Sequence, residues 1–328
     1  MTIPLVSNRP ANRFYRGGSR IAAFRGEADA APYEPEDWVA STTTVFGEQQ
    51  TGLSRLPGGR LLRDAVREAP AQWLGVEHAF RWGSDIRLLV KLLDAGQRLP
   101  VHAHPDDHFA LQQLGHEHGK AEAWYILEGG TVHVGLRRAV LRSELDDLVA
   151  RQDADALLAL LHPIVVVPGD VVWVPPGELH AIGEGVFLVE VQQPEDLSIL
   201  LEWRDFAIDG AASGHLGIGF DRALAAVNLR PRTPVELREL VFSAAPSGQL
   251  LPPDAERYFR LERIPVDGPG LIDAGFAVIV VTDGVVVLGG RPTPRGATHL
   301  LPAAGGPLAV DGHGELLVAR PPAPSIRL

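Results

Sequence analysis

Three histidines and one glutamate near the middle of the chain have the types and spacing of a metal site. His102 and His104 are separated by one residue in a segment with strand character, so both side chains face the same way. Glu122 begins a later strand-like segment, and His180 follows a tight Pro-Pro-Gly turn. Three imidazoles and one carboxylate suit a divalent first-row metal that keeps open positions for a substrate. We therefore predict one divalent metal on these four side chains.

Glycines and prolines frame these candidate ligands in two ordered patterns. The first runs from Gly96 through His102 and His104 to Glu122 and Gly129, and the second from Gly169 through Pro175 and Gly177 to His180. A single His-x-His is common on protein surfaces, so the histidine pair alone is weak evidence. The two patterns together, in this order, resemble the cupin superfamily. That resemblance implies a jelly-roll barrel, or double-stranded β-helix, around the site.

The elements that must position these residues are mostly short strands. Residues 85–107 predict strand, turn and strand, 121–138 predict a hairpin, and 164–193 predict a second dense β segment. Helical spacing occurs over 60–75, where we expect one helix ending near Pro70, and over 141–161. We expect the second of these segments to be a helical insertion between barrel strands.

The C-terminal part of the chain predicts a separate small β domain. A linker rich in proline and small residues runs from about 230 to 253, and short strand-like runs such as FAVIVVTDGVVVL recur beyond it. Only His299 and His313 are candidate nitrogen ligands there, so we expect a small β-sandwich without metal ligands. We divide the chain into a metal-binding cupin domain at 1–235, with an N-terminal extension, and a cupin-like β domain at 236–328.

Composition narrows the classes of partner. The 328 residues include no cysteine, which excludes disulfides, thiolate metal sites and cysteine nucleophiles. A formal net charge of −11 argues against a nucleic-acid partner, because phosphate contacts need clustered Lys and Arg. The apolar runs are strand-length, and no signal-peptide pattern is visible. We expect a cytoplasmic monomer or homodimer that binds a small polar metabolite and no membrane.

Four longer segments resemble one family. They are LLVKLLDAGQRLPVHAHPDDHFA, GHEHGKAEAWYIL, PGDVVWVPPGELHAIGEG and VFLVEVQQPED, and they are similar to the short bacterial type I mannose-6-phosphate isomerases. The resemblance covers nearly the whole chain. It implies a metal-dependent isomerase that interconverts mannose 6-phosphate and fructose 6-phosphate, or a related sugar, through an ene-diol. Zinc is the metal that it implies, while manganese, iron, cobalt and nickel also suit such ligands.

The resemblance also implies roles for residues around the metal. The family's metal ligands fall on His102, His104, Glu122 and His180, and we expect Lys120 and Glu190 to be catalytic. One of the aromatic residues that alternate on the same strand is expected to face the sugar, and the other to pack in the core. The substrate-binding positions that we predict are Lys91, Glu36, Trp124, Asp196 and Arg204.

Three positions depart from the family pattern. His102 stands where the family has a Gln ligand, Pro100 replaces a Ser that helps to hold phosphate, and Leu200 replaces an Arg. Arg provides a bidentate, permanently charged clamp that Leu cannot provide, and Arg204 lies four residues further on. The alternatives are therefore an unphosphorylated or differently charged sugar, a non-catalytic sugar-binding or regulatory cupin, and another three-His, one-Glu metalloenzyme that acts on oxygen.

Overall fold

The chain folds into antiparallel β-sheets with short helices between strands. The computed structural model describes residues 2–28 and 30–324. Its strands are β1 (Ile3–Leu5), β2 (Glu36–Val39), β3 (Leu89–Asp94), β4 (His102–Ala103), β5 (Glu122–Glu128), β6 (Gly130–Leu136), β7 (Leu161–Val166), β8 (Asp170–Val174), β9 (His180–Ile182), β10 (Phe187–Gln192), β11 (Ile199–Leu200), β12 (Val241–Ser243), β13 (Gly248–Gln249), β14 (Arg260–Asp267), β15 (Gly270–Ile272), β16 (Ala277–Leu288), β17 (Arg291–Pro294), β18 (Thr298–Leu301) and β19 (Leu308–Arg320). Its helices are α1 (Arg20–Arg25), α2 (Leu62–Glu68), α3 (Pro70–Leu74), α4 (Val76–Trp82), α5 (Asp107–Phe109), α6 (Arg142–Arg151), α7 (Ala154–Ala159), α8 (Gly210–Ser213), α9 (Phe220–Ala223) and α10 (Pro234–Leu240). The prediction of a mainly β fold with helical insertions is confirmed.

Two sheets build the region that contains the predicted site. The six-stranded sheet has the order β12-β8-β5-β10-β3-β2, and the five-stranded sheet has the order β11-β4-β9-β6-β7. In the smaller sheet, β4 and β9 place His102 directly opposite His180. In the larger sheet, β5 places Glu122 opposite Gln192 of β10. Strand pairing therefore collects candidate ligands from distant segments of the chain.

The central strands of the larger sheet are buried along their whole length. β3, β8 and β10 are rich in valine and leucine, which suits strands covered on both faces. Lys91 of β3 and Glu190 of β10 break this apolar pattern and lie opposite each other in the pairing register. A buried charge is costly unless it has a partner, so a charge pair in the middle of an apolar sheet marks a candidate functional site.

Both predicted helical segments contain helices, while others, such as α4 and α10, were not predicted; α10 lies in the segment expected to be a linker. The segment predicted as one helix over 60–75 is α2 followed by α3, because Pro70 lacks the N–H that would continue α2 and instead begins α3. The insertion predicted over 141–161 contains α6 and α7, which lie between β6 and β7. Asp153 caps α7 by accepting a hydrogen bond from the Ala156 N–H. Among residues 2–28 and 30–324, no helix has the length and apolar character needed to cross a bilayer.

The C-terminal strands form an eight-stranded antiparallel sheet that also includes the N-terminal strand. Its main path is β1-β18-β16-β19-β14-β13, and β1 pairs with β18 at Ile3 and Leu300. The long strands β16 and β19 pair along most of their length over an aliphatic core. β12 belongs instead to the six-stranded sheet, where it pairs with β8. The division of the chain at residue 235 remains a prediction.

Candidate metal centre

The three histidines are held in one tautomer by the backbone. Their Nδ1 atoms lie 2.8 Å from the Pro100 carbonyl for His102, 2.6 Å from the Leu197 carbonyl for His104, and 2.9 Å from the Glu178 carbonyl for His180. A carbonyl oxygen only accepts hydrogen bonds, so each Nδ1 must carry the proton and donate it. Each Nε2 atom therefore keeps a lone pair for a metal.

These lone pairs converge in a buried space. The ring centroids lie 4.0 to 4.9 Å apart, and the ligand atoms of the three rings all lie within 4.8 Å of one another. The tight turn before His180 fixes this approach, because Gly177 takes the left-handed φ of 82° and donates its N–H to the His104 carbonyl. The structure thus brings together the three histidines that the sequence predicted.

Glu122 completes the set of donors. Its Oε2 lies 3.1 Å from His104 Nε2, and its Oε1 lies 3.2 Å from His180 Nε2. Among the described residues, none hydrogen-bonds to His180 Nε2, which is fully buried. With the proton on Nδ1, two lone pairs face each other at this contact. A cation between them removes that repulsion, so the donor set fits a divalent metal.

The protonation states suit metal binding. Burial and, after it, the neighbouring Lys120 ammonium lower the pKa of His104 to about 3. Burial and the other two histidines also hold the pKa of His102 well below its ordinary value. Burial opposes ionisation of Glu122, but Lys120 and His104 outweigh it and hold the pKa of this carboxyl well below the ordinary range. His102 and His104 are therefore neutral imidazoles beside a carboxylate at physiological pH.

Two further side chains contact the ligands. Lys120 Nζ lies 2.9 Å from His104 Nε2 and donates to the Glu122 carboxylate. The indole N–H of Trp124 donates to Glu122 Oε1 at 3.1 Å, and this ring is fully buried. Trp124 thus lies behind Glu122 and orients it, whereas Tyr125 faces the C-terminal sheet and donates to Glu315. Neither ring is among the described residues that line the cavity beside the ligands.

A continuous row of buried charges leads away from the metal ligands. Its members alternate in sign, and we name them the charge row: Glu122, Lys120, Glu190, Lys91, Glu36, Arg13 and Asp196. Lys91 Nζ lies 3.3 Å from Glu190 and 3.7 Å from Glu36. Each member is buried or nearly so, and each has an opposite charge beside it, which is the condition under which charges are tolerated in an interior.

The pKa values of two carboxylates in the charge row are shifted in opposite directions. Burial raises the pKa of Glu190, as does Glu122 nearby, while Lys91 only partly offsets these effects. Burial opposes the ionisation of Asp196 as well, but Arg13 and Lys91 outweigh it and hold its pKa well below the ordinary range. Of these two carboxylates, Glu190 thus has the pKa closer to neutral pH, as a proton-transfer group requires.

Sequence reasoning missed Arg13. Its guanidinium makes a two-point contact with Asp196, at 3.0 and 3.1 Å, and its Nε lies 3.4 Å from Glu36. The two partners are far apart in the sequence, so no local spacing could reveal them. Arg204, which we predicted to bind substrate, lies elsewhere: its exposed side chain donates to the Arg151 carbonyl. Arg204 therefore does not replace the arginine that the family has at the position of Leu200.

Known proteins resemble this chain in sequence and in fold. The mannose-6-phosphate isomerase of Streptococcus mutans is 32% identical over 203 residues, 60% of this chain and 59% of that protein. A mannose-6-phosphate isomerase of Bacillus subtilis is 33% identical over 190 residues, 56% of each chain. The matched segment thus covers less than two thirds of these relatives. No protein-family model matches the chain.

The solved structures extend the likeness over the whole chain. The mannose 6-phosphate isomerase of Bacillus subtilis superposes with a TM-score of 0.77 at 22% identity, covering 97% of this chain and 99% of that one. A variant of the phosphomannose isomerase of Salmonella typhimurium gives a TM-score of 0.75 at 15% identity, covering 98% and 100%. The resemblance to mannose-6-phosphate isomerases is confirmed. The predicted cupin fold is confirmed with it.

Proposed function

We propose that the chain is a metal-dependent aldose–ketose isomerase that moves a proton between C1 and C2 of a mannose-type sugar. The observation that carries the proposal is the convergence of three buried Nε2 atoms on Glu122, next to the charge row. The similar proteins are named as isomerases of mannose 6-phosphate, which supports this reaction type. We propose zinc as the metal, held by His102, His104, Glu122 and His180, since nitrogen and oxygen donors suit it.

The residues around the donors provide the parts that isomerisation needs. When bound, the metal supplies Lewis-acid polarisation of the sugar oxygens. Glu190, whose pKa is raised by burial, takes the proton from one carbon and returns it to the other. Lys91, 3.3 Å from Glu190, keeps that carboxylate in place. Lys120 stabilises the negative charge that develops on the sugar oxygens, because its ammonium lies at the ligand end of the charge row.

Lys120 must also move when the sugar binds. The cavity beside the ligands has a volume of only 30 Å³, and the Lys120 ammonium lies against the donor atoms of His104 and Glu122. Its unbranched stem allows the ammonium to swing away from these atoms. We propose that this movement opens the space for C1 and C2. Glu36 and Asp196, further along the charge row, then line the part of the cavity that receives the rest of the sugar.

The test is proton exchange at C2 in deuterated buffer, followed by NMR with the zinc-loaded protein. We expect the C2 proton of mannose or mannose 6-phosphate to be replaced by deuterium as the ketose forms. Absence of exchange with mannose, mannose 6-phosphate and the matching ketoses would contradict the proposal. Sugar binding without exchange would then support the non-catalytic cupin, while bound iron with oxygen consumption would support the oxygen-using alternative.

A further inference from the structure

A larger outer chamber adjoins the cavity beside the metal ligands. This chamber has a volume of 260 Å³, and Arg13, Phe14, Asp196 and Ser198 line both spaces. A sugar that reacts at C1 and C2 must place these atoms at the ligand end. Its other end then extends past Arg13 into the outer chamber. The lining of this chamber therefore decides which group the substrate carries at its far end.

The walls of the outer chamber are mainly apolar. Seven side chains provide this surface: Phe14, Val45, Phe46, Leu200, Ala207, Ile208 and Leu216. Leu200 is 2% exposed and lies on β11, where it pairs with His102 of β4. Position 200 is thus one strand away from the ligands. A cation at this position would be placed to meet a charged substrate, whereas Leu200 offers only hydrocarbon.

The chamber's one cation among the described residues is already neutralised. Arg13 and Asp196 are the charged residues of the lining, and the guanidinium binds both carboxylate oxygens of Asp196. The backbone N–H of Phe46 also donates to Asp196, which fixes the carboxylate in this position. This bidentate pair uses two of the five guanidinium N–H donors and neutralises the charge that a phosphate would otherwise meet. An incoming phosphate would have to displace a buried carboxylate that has no other cation in the chamber.

The charge row adds a further cost for a phosphate. Its four carboxylates and three cations leave a single net negative charge, which a divalent cation on the ligands changes to a single net positive charge. Transfer of a proton from the sugar carbon to Glu190 keeps this total unchanged, so a neutral sugar leaves it as it is. A phosphate dianion would reverse its sign and bring two further negative charges into a buried space.

We propose that the outer chamber selects an unphosphorylated aldose and discriminates against its 6-phosphate. The proposal rests on the isomerase function proposed above, and it defines the substrate class of that same site. It assigns Leu200 and the Arg13–Asp196 pair as the residues that determine specificity. Hydroxyl groups can hydrogen-bond to Ser198 or Asn12, and the carbon skeleton can pack on the apolar walls.

The experiment compares mannose with mannose 6-phosphate on the zinc-loaded, full-length protein. Binding is measured by calorimetry, and C2 exchange is measured by NMR. We expect mannose to bind more tightly and to have the higher kcat/KM, by roughly two orders of magnitude, because the phosphate meets no unpaired cation. Equal or better binding of mannose 6-phosphate overturns the proposal, even if the protein proves to be an isomerase. Preferential binding of mannose without exchange supports it and overturns the isomerase function. Failure of both sugars to bind overturns both.

Three variants test the assigned residues. Leu200→Arg should shift the preference toward mannose 6-phosphate by roughly tenfold or more, since it adds an unpaired guanidinium to the wall. Leu200→Met keeps the size without the charge, so the ratio between the two sugars should stay as in the parent protein. If Leu200→Arg does not fold, Asp196→Asn provides the second measurement, because it frees Arg13 and should shift the ratio in the same direction. If folded Leu200→Arg or Asp196→Asn protein keeps the parent ratio between mannose and mannose 6-phosphate, the proposal is contradicted.

Discussion

The barrel around the ligands and the C-terminal sheet are both built from antiparallel strands, but they bury opposite kinds of side chain. The buried face of β16 and β19 carries aliphatic residues such as Ile279 and Val318. The barrel interior carries Glu122, Lys91 and Glu190 on strands of the same type. The difference shows that one region buries charged side chains in place of apolar ones, and that each of these charges has an opposite charge beside it. The other region retains the packing that stabilises a sheet.

The largest effect expected from this contrast follows loss of a ligand. His180→Ala should abolish stoichiometric zinc binding and reduce C2 exchange to background, because Nε2 of this fully buried ring faces the other donors. Metal content by plasma mass spectrometry and exchange by NMR measure the two results. Chelation of the parent protein should likewise lower its Tm, since the metal binds only the folded barrel.

The matched control lies in the other sheet. His299 is also buried, at 8% exposure, but belongs to β18. His299→Ala should keep one zinc per chain and the parent rate of exchange. If His180→Ala retains its zinc, or if His299→Ala loses it, the contrast between the two interiors is wrong.

The second effect concerns the carboxylate that we propose to move the proton. Glu190→Gln keeps the shape but removes the base, so exchange should fall by roughly two to four orders of magnitude while zinc remains bound. Glu262→Gln, in the C-terminal sheet, is the control and should exchange at the parent rate. A fully active Glu190→Gln protein would rule out this role.

The same carboxylate predicts the pH dependence. Burial raises the pKa of Glu190 above the ordinary value of 4.5. The base must be ionised, so kcat/KM should fall as the pH is lowered through that raised pKa, at a higher pH than for an exposed glutamate. A profile of kcat/KM against pH measures the acid limb. An acid limb at or below pH 4.5 would be incompatible with Glu190 as the base.

A smaller effect is expected from the side chain that orients a ligand. Trp124→Phe removes the N–H that donates to Glu122 Oε1, and zinc affinity should weaken by roughly 10- to 100-fold. Competition with a chromophoric chelator measures it. Trp173→Phe is the control, because this ring packs against Tyr258 and Phe259 instead. Equal affinities in the two variants would show that the indole hydrogen bond does not orient the ligand.

The smallest effect on zinc binding is expected from a substitution in the aliphatic interior of the C-terminal sheet. Ile279→Ala creates a cavity in the C-terminal sheet and should lower the free energy of unfolding by about 2–5 kcal/mol, as measured by urea denaturation. The zinc affinity of the folded protein should not change. A parallel loss of zinc affinity would show that packing in the C-terminal sheet and metal binding in the barrel depend on each other.

Local spacing explains why the histidines could be predicted from the sequence. His102 and His104 have a strand period between them, and a turn of prolines and glycine precedes His180, so short-range rules suffice. The mainly β fold and the helical insertion also follow from local patterns. The helix end expected near Pro70 agrees with α2, which ends at Glu68, but the second helix that begins at Pro70 was missed.

Long-range contacts explain what could not be predicted. Arg13 and Asp196 meet only because the N-terminal segment folds back over the barrel, and nothing near either residue indicates it. Arg204 was placed in the site by its distance along the chain from Leu200. β11 ends at Leu200, however, and the chain then turns so that Arg204 reaches the Arg151 carbonyl. The alternation on β5 was correct, but it could not show that Trp124 lies behind a ligand.

The pairing of β1 with β18 has a consequence for the order of folding. β1 has its partner at Thr298–Leu301, so it cannot dock until these residues have left the ribosome. Arg13 follows that strand closely and meets Asp196 across a similarly long loop. The four proposed metal ligands, by contrast, lie within residues 102–180 and emerge earlier. A nascent chain would therefore contain all of these side chains well before β1 and β18 can pair.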